Sequence, residues 1–481
     1  MGGEGVKFDA WGYGVNTSSD DCVSAINAYY EQVLSYGKKR SVILEAVDCD
    51  GDCVLANILA AHYLCSADPS RSPSRFQAAK SRLEQATPYE KAVFSAVSSL
   101  ISDNRDDEAA FELHQKLLKD FPRDLLSLKR AQILCFYMGR ADLSLNLVEQ
   151  VLPENQQANY VYGMLAFPLL ELGRMVDAEK AAKKGFEINN EDCWAQHALC
   201  HVFQYECKFK EAVEFMEACS PSWSSCSSFM LTHNWWHVAL CYLEGHSPIR
   251  KVLDIYDNCI WKELERPDAV PAEVYLNALG LLLRIHVRGH INVYEERLKV
   301  LVSHLTDQKT WYMEWHLDLL ILWALAYSGE LSKAEELFNG LKSRFSRMSK
   351  KKQLSMRRGI LLAEAMFDYG RGNYEEALKV LGPDFDANNC KMIGASDEQL
   401  DVFNEVWFIM LLGTGQATKA TEAIEEEKGG CSFLVAAPGK RLQADGQTRS
   451  RSHQREAPSP GKCIFQVACS ITDIFLFFLY L

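Results

Sequence analysis

The chain has 481 residues, 48% of them hydrophobic, and carries a formal net charge of −13. So much apolar sequence is ample for a large core and exceeds what one compact domain holds. The acidic balance argues against nucleic acid as the default partner, because neutralising phosphates takes a surplus of Lys and Arg on some face.

The opening residues, MGGEGVKFDAWGYG, lack the basic-then-apolar order of a secretory signal, and Val6 stands where a myristoylation motif needs Ser or Thr. A long chain of this kind is expected in the cytoplasm. Its 16 cysteines, scattered through apolar stretches, are expected to be reduced and mostly small core residues. Residues 19–105 read as amphipathic helices with no clear repeat marks, and no run alternates β-branched residues as a strand would. Within them DCDGDC (48–53) has neither a zinc spacing nor the glycine position of an EF-hand loop; Asp52 is expected to cap the helix that follows. SADPSRSPSR (66–75) reads as a surface loop.

From residue 106 the helices come in pairs with a period. Gly139/Ser144, Gly173/Ala178, Gly329/Ala334, Gly372/Ala377 and Gly415/Ala420 share one pattern: an apolar helix ends at a glycine, and a small residue follows in the next helix. The glycine permits a tight left-handed turn, and the small residue lets the second helix lie close to the first. Ala110, Ser144, Ala178 and Ala212 succeed one another at steps of 34 residues, the length of a tetratricopeptide helix–turn–helix unit. The fold expected is therefore all-α: a right-handed α-solenoid of about ten to twelve tetratricopeptide-like helix pairs. It divides into degenerate repeats over 1–105, the best-marked repeats over 106–261, and C-terminal repeats over 262–430. Two stretches stand out within it. SPSWSSCSS (220–228) is an insert that could act as a flap, and the basic run KSRFSRMSKKKQLSMRR (342–358) reads as the solvated end of one helix and the start of the next.

Two H-x3-H pairs are the most unusual feature, in WAQHALCHV (194–202) and THNWWHVAL (232–240). Residues four apart share a helix face, so each pair can converge. Repeat numbering puts Trp194, His197, His201, Gln204 and Tyr205 on the concave side of the solenoid, with Glu171 of the preceding unit. His233 and Trp236 of the following unit face the same way, and His237 sits at the edge. Cys200 takes a small core position. Three readings stand side by side. The histidines hold structure through hydrogen bonds; or they line a groove for a protein, peptide or small ligand, with tryptophan and tyrosine supplying stacking area; or His197, His201, His233 and His237 ligate a metal. There is no H-E-x-x-H and no carboxylate cluster beside the pairs, so no cofactor is assigned. Nucleophile elbows, phosphate loops and dinucleotide fingerprints are absent from the sequence, so no catalytic residue is named. The function expected is a non-enzymatic interaction module with an unidentified partner; a metal-dependent or histidine-based enzyme is the alternative.

WAQHALCHV, THNWWHVALCYLEG, VLDIYD (252–257) and GASDEQLDVFNEVWF (394–408) resemble the tetratricopeptide repeat protein 38 family over roughly residues 19–430. The resemblance implies an all-helical solenoid and no established activity, cofactor or substrate. It also implies that Gln204 replaces a glutamate, which removes one candidate ligand or base. DVFN (401–404) reads as a helix cap or packing feature.

From Gly429 the helical period stops, and 431–481 ends in nineteen largely apolar residues, CIFQVACSITDIFLFFLYL, with Asp473 among them. The expectation is a poorly ordered tail arising from an alternative or erroneous gene-model end. A membrane anchor over 463–481 is the other reading, at the short limit for a bilayer span.

Overall fold

The computed structural model describes residues 5–102 and 105–429. Helix follows helix from Asp20–Leu34 to Ala417–Gly429, and each packs chiefly on its neighbours in sequence. This is an all-α solenoid. Among the described residues, no helix is long and apolar enough to cross a membrane. The expectations for 431–481 lie outside the described residues.

The turn chemistry read from the glycines holds. Gly139, Gly173, Gly329, Gly372 and Gly415 have φ between 65° and 81°. In each case the next residue's N–H returns to the carbonyl five positions back, as in Arg140 to Cys135 and Glu330 to Leu325. The small residues that follow, Ala178, Ala334 and Ala377, are fully buried. The same turn recurs where the marks had faded: Gly289 has φ 77°, while Cys207 and His246 take the left-handed conformation without being glycine, at 57° and 52°.

Several local expectations are corrected. A two-stranded hairpin, Val6–Phe8 with Gly14–Asn16, opens the described chain. Three-residue strands are too short to show alternation, and Asp9 closes the connection by accepting from the N–H groups of Trp11 and Tyr13. Asp52 does not cap the next helix. Cys53 does so through its sulfur, and Asp52 pairs with Arg82 at 2.9 Å. The 220–228 insert is no flap. Its Trp223 is 0% exposed, with the indole N–H donating to Gln196, and Ser227 N–H donates to the Tyr36 carbonyl in the turn after the first helix. The basic run does span the end of Leu331–Arg347 and the start of Lys350–Gly370.

Packing does not break at 105 or 261. One buried core runs from Val15 to Met164, a second from Cys193 to Ile424, and a smaller one joins them. Neighbouring helices therefore stay packed on one another through 105 and through 261.

What matters most for the site is the segment 387–413. The turn Ala387–Ile393 packs on Leu125–Tyr137, and the helix Asp397–Gly413 packs on Pro271–Val287. Lys391 reaches Glu171, and Gly394, at φ 82°, lets the ring of Tyr137 lie against its backbone. These partners all belong to the first helices of their pairs, the row that faces inward. The segment therefore crosses the inner side of the solenoid and covers it.

Candidate metal centre

Asp192 caps the helix Cys193–Tyr205 by accepting from the N–H groups of Trp194 and Ala195, and this fixes the phase at which His197 and His201 leave the helix. The neighbouring first helix, Ser228–Glu244, presents His233 and His237 one turn apart in the same way. The four rings meet. Nε2 of His197 lies 3.1 Å from Nε2 of His233 and 3.1 Å from that of His201, and Nε2 of His237 lies 3.3 Å from that of His233. All four residues are 4% exposed or less. Aromatic rings close the flanks. Trp194 stacks on His197 at 4.4 Å between centroids, and Phe229 and Trp236 stack on His233 at 5.1 and 5.4 Å.

The outer ring nitrogens decide where the protons sit. Nδ1 of His237 faces Oε1 of Gln204 at 3.0 Å, and the Gln204 amide nitrogen donates to Glu398 at 2.7 Å. Nδ1 of His233 faces Oδ1 of Asn277 at 3.1 Å, and the Asn277 nitrogen donates to Thr232 at 2.8 Å. An amide oxygen only accepts, so both Nδ1 atoms carry hydrogen and both Nε2 atoms present lone pairs. Glu398 Oε2 stands 3.2 Å from Nδ1 of His201 and 3.4 Å from Nδ1 of His237. Neither approach has hydrogen-bond geometry, so Glu398 does not fix the tautomer of His201. His197, whose Nδ1 has no partner, is free to put a proton on Nε2. His233 and His237 both present lone pairs, and their Nε2 atoms face each other at 3.3 Å with no hydrogen between them.

Burial holds all four imidazoles neutral. Desolvation takes His201 down to about 3 and His233 to about 4, and with the neighbouring histidines it puts His197 and His237 well below the usual range. Desolvation also raises Glu398 to about 8 and Asp401 to about 7. Behind Glu398, Arg284 lies 3.3 Å from Glu405 and 3.8 Å from Asp401, and Arg288 bridges Glu405 and Glu244 at 2.8 and 2.6 Å. Against the desolvation of its own burial, Arg288 and Arg284 hold Glu405 below its ordinary value.

Two nitrogens that share a metal at about 2.0–2.1 Å stand roughly 2.9–3.4 Å apart at ordinary coordination angles. Three of the Nε2 separations fall in that range; ring nitrogens of His197, His201 and His237 all lie within 4.8 Å of one another, and His233 approaches two of them, His197 and His237. The donor set and its hydrogen-bonded outer partners match what metal-ligating imidazoles need.

The structure gathers most of the residues named from sequence and leaves some outside. His197, His201, Gln204, His233, Trp236 and His237 form one buried unit with Trp194 at its edge. Tyr205 is 40% exposed at the helix end, away from that unit. Glu171 pairs with Lys391 in a separate cleft lined by Gln132, Phe136 and Phe167. The histidines do not line an open groove, because 387–413 covers the inner face that repeat numbering assigned to them. The absence of carboxylates is likewise corrected: Glu398 lies against the rings of His201 and His237, and Asp401, Glu405 and Glu244 gather on Arg284 and Arg288. Cys200 is buried in the core as expected, 3.9 Å from the sulfur of Cys241. Asn277, Arg284 and Glu398 were missed. Their signal was lone polar residues inside apolar helices, with Asn277 and Arg284 seven apart in PAEVYLNALGLLLRIHV and Glu398, Asp401 and Glu405 along DEQLDVFNEVWF. No protein-family model matches the chain.

Proposed function

We propose that this α-solenoid is a metalloprotein that holds one divalent transition-metal ion on His197, His201, His233 and His237. The observation behind this is the convergence of four buried Nε2 atoms, with the tautomers of His237 and His233 set by Gln204 and Asn277 so that both present lone pairs. Leaving such groups unsatisfied costs about 1–3 kcal/mol each, and a cation at the centre removes that cost. Neutral imidazoles suit zinc, iron, nickel and copper. Four protein ligands behind aromatic walls favour a closed site that binds metal without turnover, in keeping with a non-enzymatic role. Any protein or peptide partner of the repeats would be met on surfaces other than these rings.

The test is metal analysis of the purified full chain after reconstitution with Zn2+ and gel filtration. One equivalent is expected for the wild type and none for the His197→Ala, His233→Ala double variant. A wild type that retains no metal would overturn the reading.

A further inference from the structure

We infer that Glu398 completes the metal centre from outside the two ligand-bearing repeats, and that metal loading through it fastens the 387–413 segment onto the inner face. This rests on the metal reading above.

Glu398 lies 194 residues from Gln204 in sequence and yet serves the centre at three points. Its Oε2 approaches Nδ1 of His201 and of His237 directly, and its Oε1 takes the Gln204 amide whose oxygen holds His237. Among the described residues, the other outer partner, Asn277, comes from the adjoining repeat, so Glu398 alone brings a distant part of the chain to the ligands. Its position is prepared locally. Ser396 and Gln399 form a capping box that starts the helix, and Arg284 donates to the backbone carbonyl of Glu398.

Ion pairs hold the rest of this helix face in place: Arg284 reaches Asp401 and Glu405, and Arg288 reaches Glu405 and Glu244.

Outer partners of ligating histidines typically change metal affinity by 10–100-fold. Binding linkage is reciprocal, so whatever Glu398 adds to metal affinity, the metal returns to the docking of the segment that carries Glu398. Glu398 acts here as a positioning residue.

The experiment is hydrogen exchange of the full chain, Zn2+-loaded and chelator-stripped, together with Zn2+ affinity by competition. In the wild type, stripping should speed exchange across 397–413 by roughly 10–100-fold more than in 54–67, a helix remote from the centre. Glu398→Gln should still bind one Zn2+ on four histidines, about 10–100-fold more weakly. Its exchange in 397–413 should respond little to metal, and Glu398→Asp should restore part of the response. Equal Zn2+ affinity in Glu398→Gln, or wild-type exchange that ignores the metal, overturns this inference and leaves the metal reading standing. A wild type that takes up no Zn2+ overturns both. The loaded-versus-stripped comparison needs no variant, so a misfolded substitution does not shield the idea.

Discussion

Asp9 and Asp124 lie about as deep in the N-terminal core as the four histidines do in the second, yet the two clusters are satisfied in opposite ways. Asp124 accepts from the N–H and hydroxyl of Ser127 and from the hydroxyl of Tyr89. Asp9 accepts from the N–H groups of Trp11 and Tyr13 and from the hydroxyl of Tyr30. Every close contact there joins a donor to an acceptor, so the network is complete without any further atom. At the histidine centre, atoms of like polarity face one another. A buried polar cluster that closes on itself is architecture, and one that cannot close by itself is a place for something else.

The largest effect that separates the two clusters is metal removal. With free Zn2+ at about a thousand times its dissociation constant, loading should stabilise the fold by about 4 kcal/mol, read as a shift in the unfolding midpoint. The His197→Ala, His233→Ala variant should show no such shift, and Asp124→Ala should keep all of it. Next comes Asp124→Ala itself. It leaves three buried donors without an acceptor and should cost about 2–4 kcal/mol in denaturant unfolding, with metal content unchanged. Loss of metal from that variant would mean that the two clusters are not independent.

Acid sharpens the contrast further. Desolvation depresses His114 to about 4, His233 to about 4 and His201 to about 3. The unfolded chain binds protons at these sites near 6.5 while the folded chain does not, so their stability is complete above 6.5 and falls as pH drops toward 4. Asp9 works in the other sense. Its burial raises it to about 6, so folding is favoured by its protonation below about 4, and that advantage is lost as pH rises through 6. Glu398, raised to about 8, and Asp401, raised to about 7, work in the same sense as Asp9, so terms of both signs meet in both regions. Four imidazoles stand against two carboxyls at the histidine centre, so urea unfolding of stripped protein should weaken on balance between pH 6.5 and 4. His114→Gln should recover on the order of 2–3 kcal/mol of that loss at the acid end. A His114→Gln variant no more stable than wild type at the acid end would contradict a neutral, buried His114.

The smallest effect concerns the turns that build both regions. His246 is exposed and holds φ 52°, so His246→Gly should stabilise by about 0.5–1 kcal/mol. Gly329 has φ 81°, so Gly329→Ala should destabilise by a similar amount, about 1 kcal/mol. Both are measured by thermal unfolding of stripped protein.

The solenoid was legible because a turn after an apolar helix leaves a local mark, as at Gly173/Ala178 and Gly329/Ala334. Where Cys207 and His246 take the same backbone without glycine, the mark was gone although the turn was not. The histidine pairs were legible for the same local reason, since four-residue spacing already puts two rings on one face. Their concealment was not. It depends on 387–413 returning across the inner side to meet helices far earlier in the chain, and no spacing records such a meeting. Glu398 was missed on these grounds, although Glu398, Asp401 and Glu405 recur along the largely buried helix Asp397–Gly413. Trp223 misled in the reverse direction: a serine-rich stretch looked mobile, while one buried indole anchors it.

X-ray absorption at the zinc edge of the loaded full-length protein tests the central claim most directly. The proposed centre predicts a first shell of four nitrogen scatterers at about 2.0–2.1 Å with the outer-shell pattern of imidazole, lost in the His197→Ala, His233→Ala variant. A first shell containing sulfur, fewer than three imidazoles, or no retained zinc would contradict it.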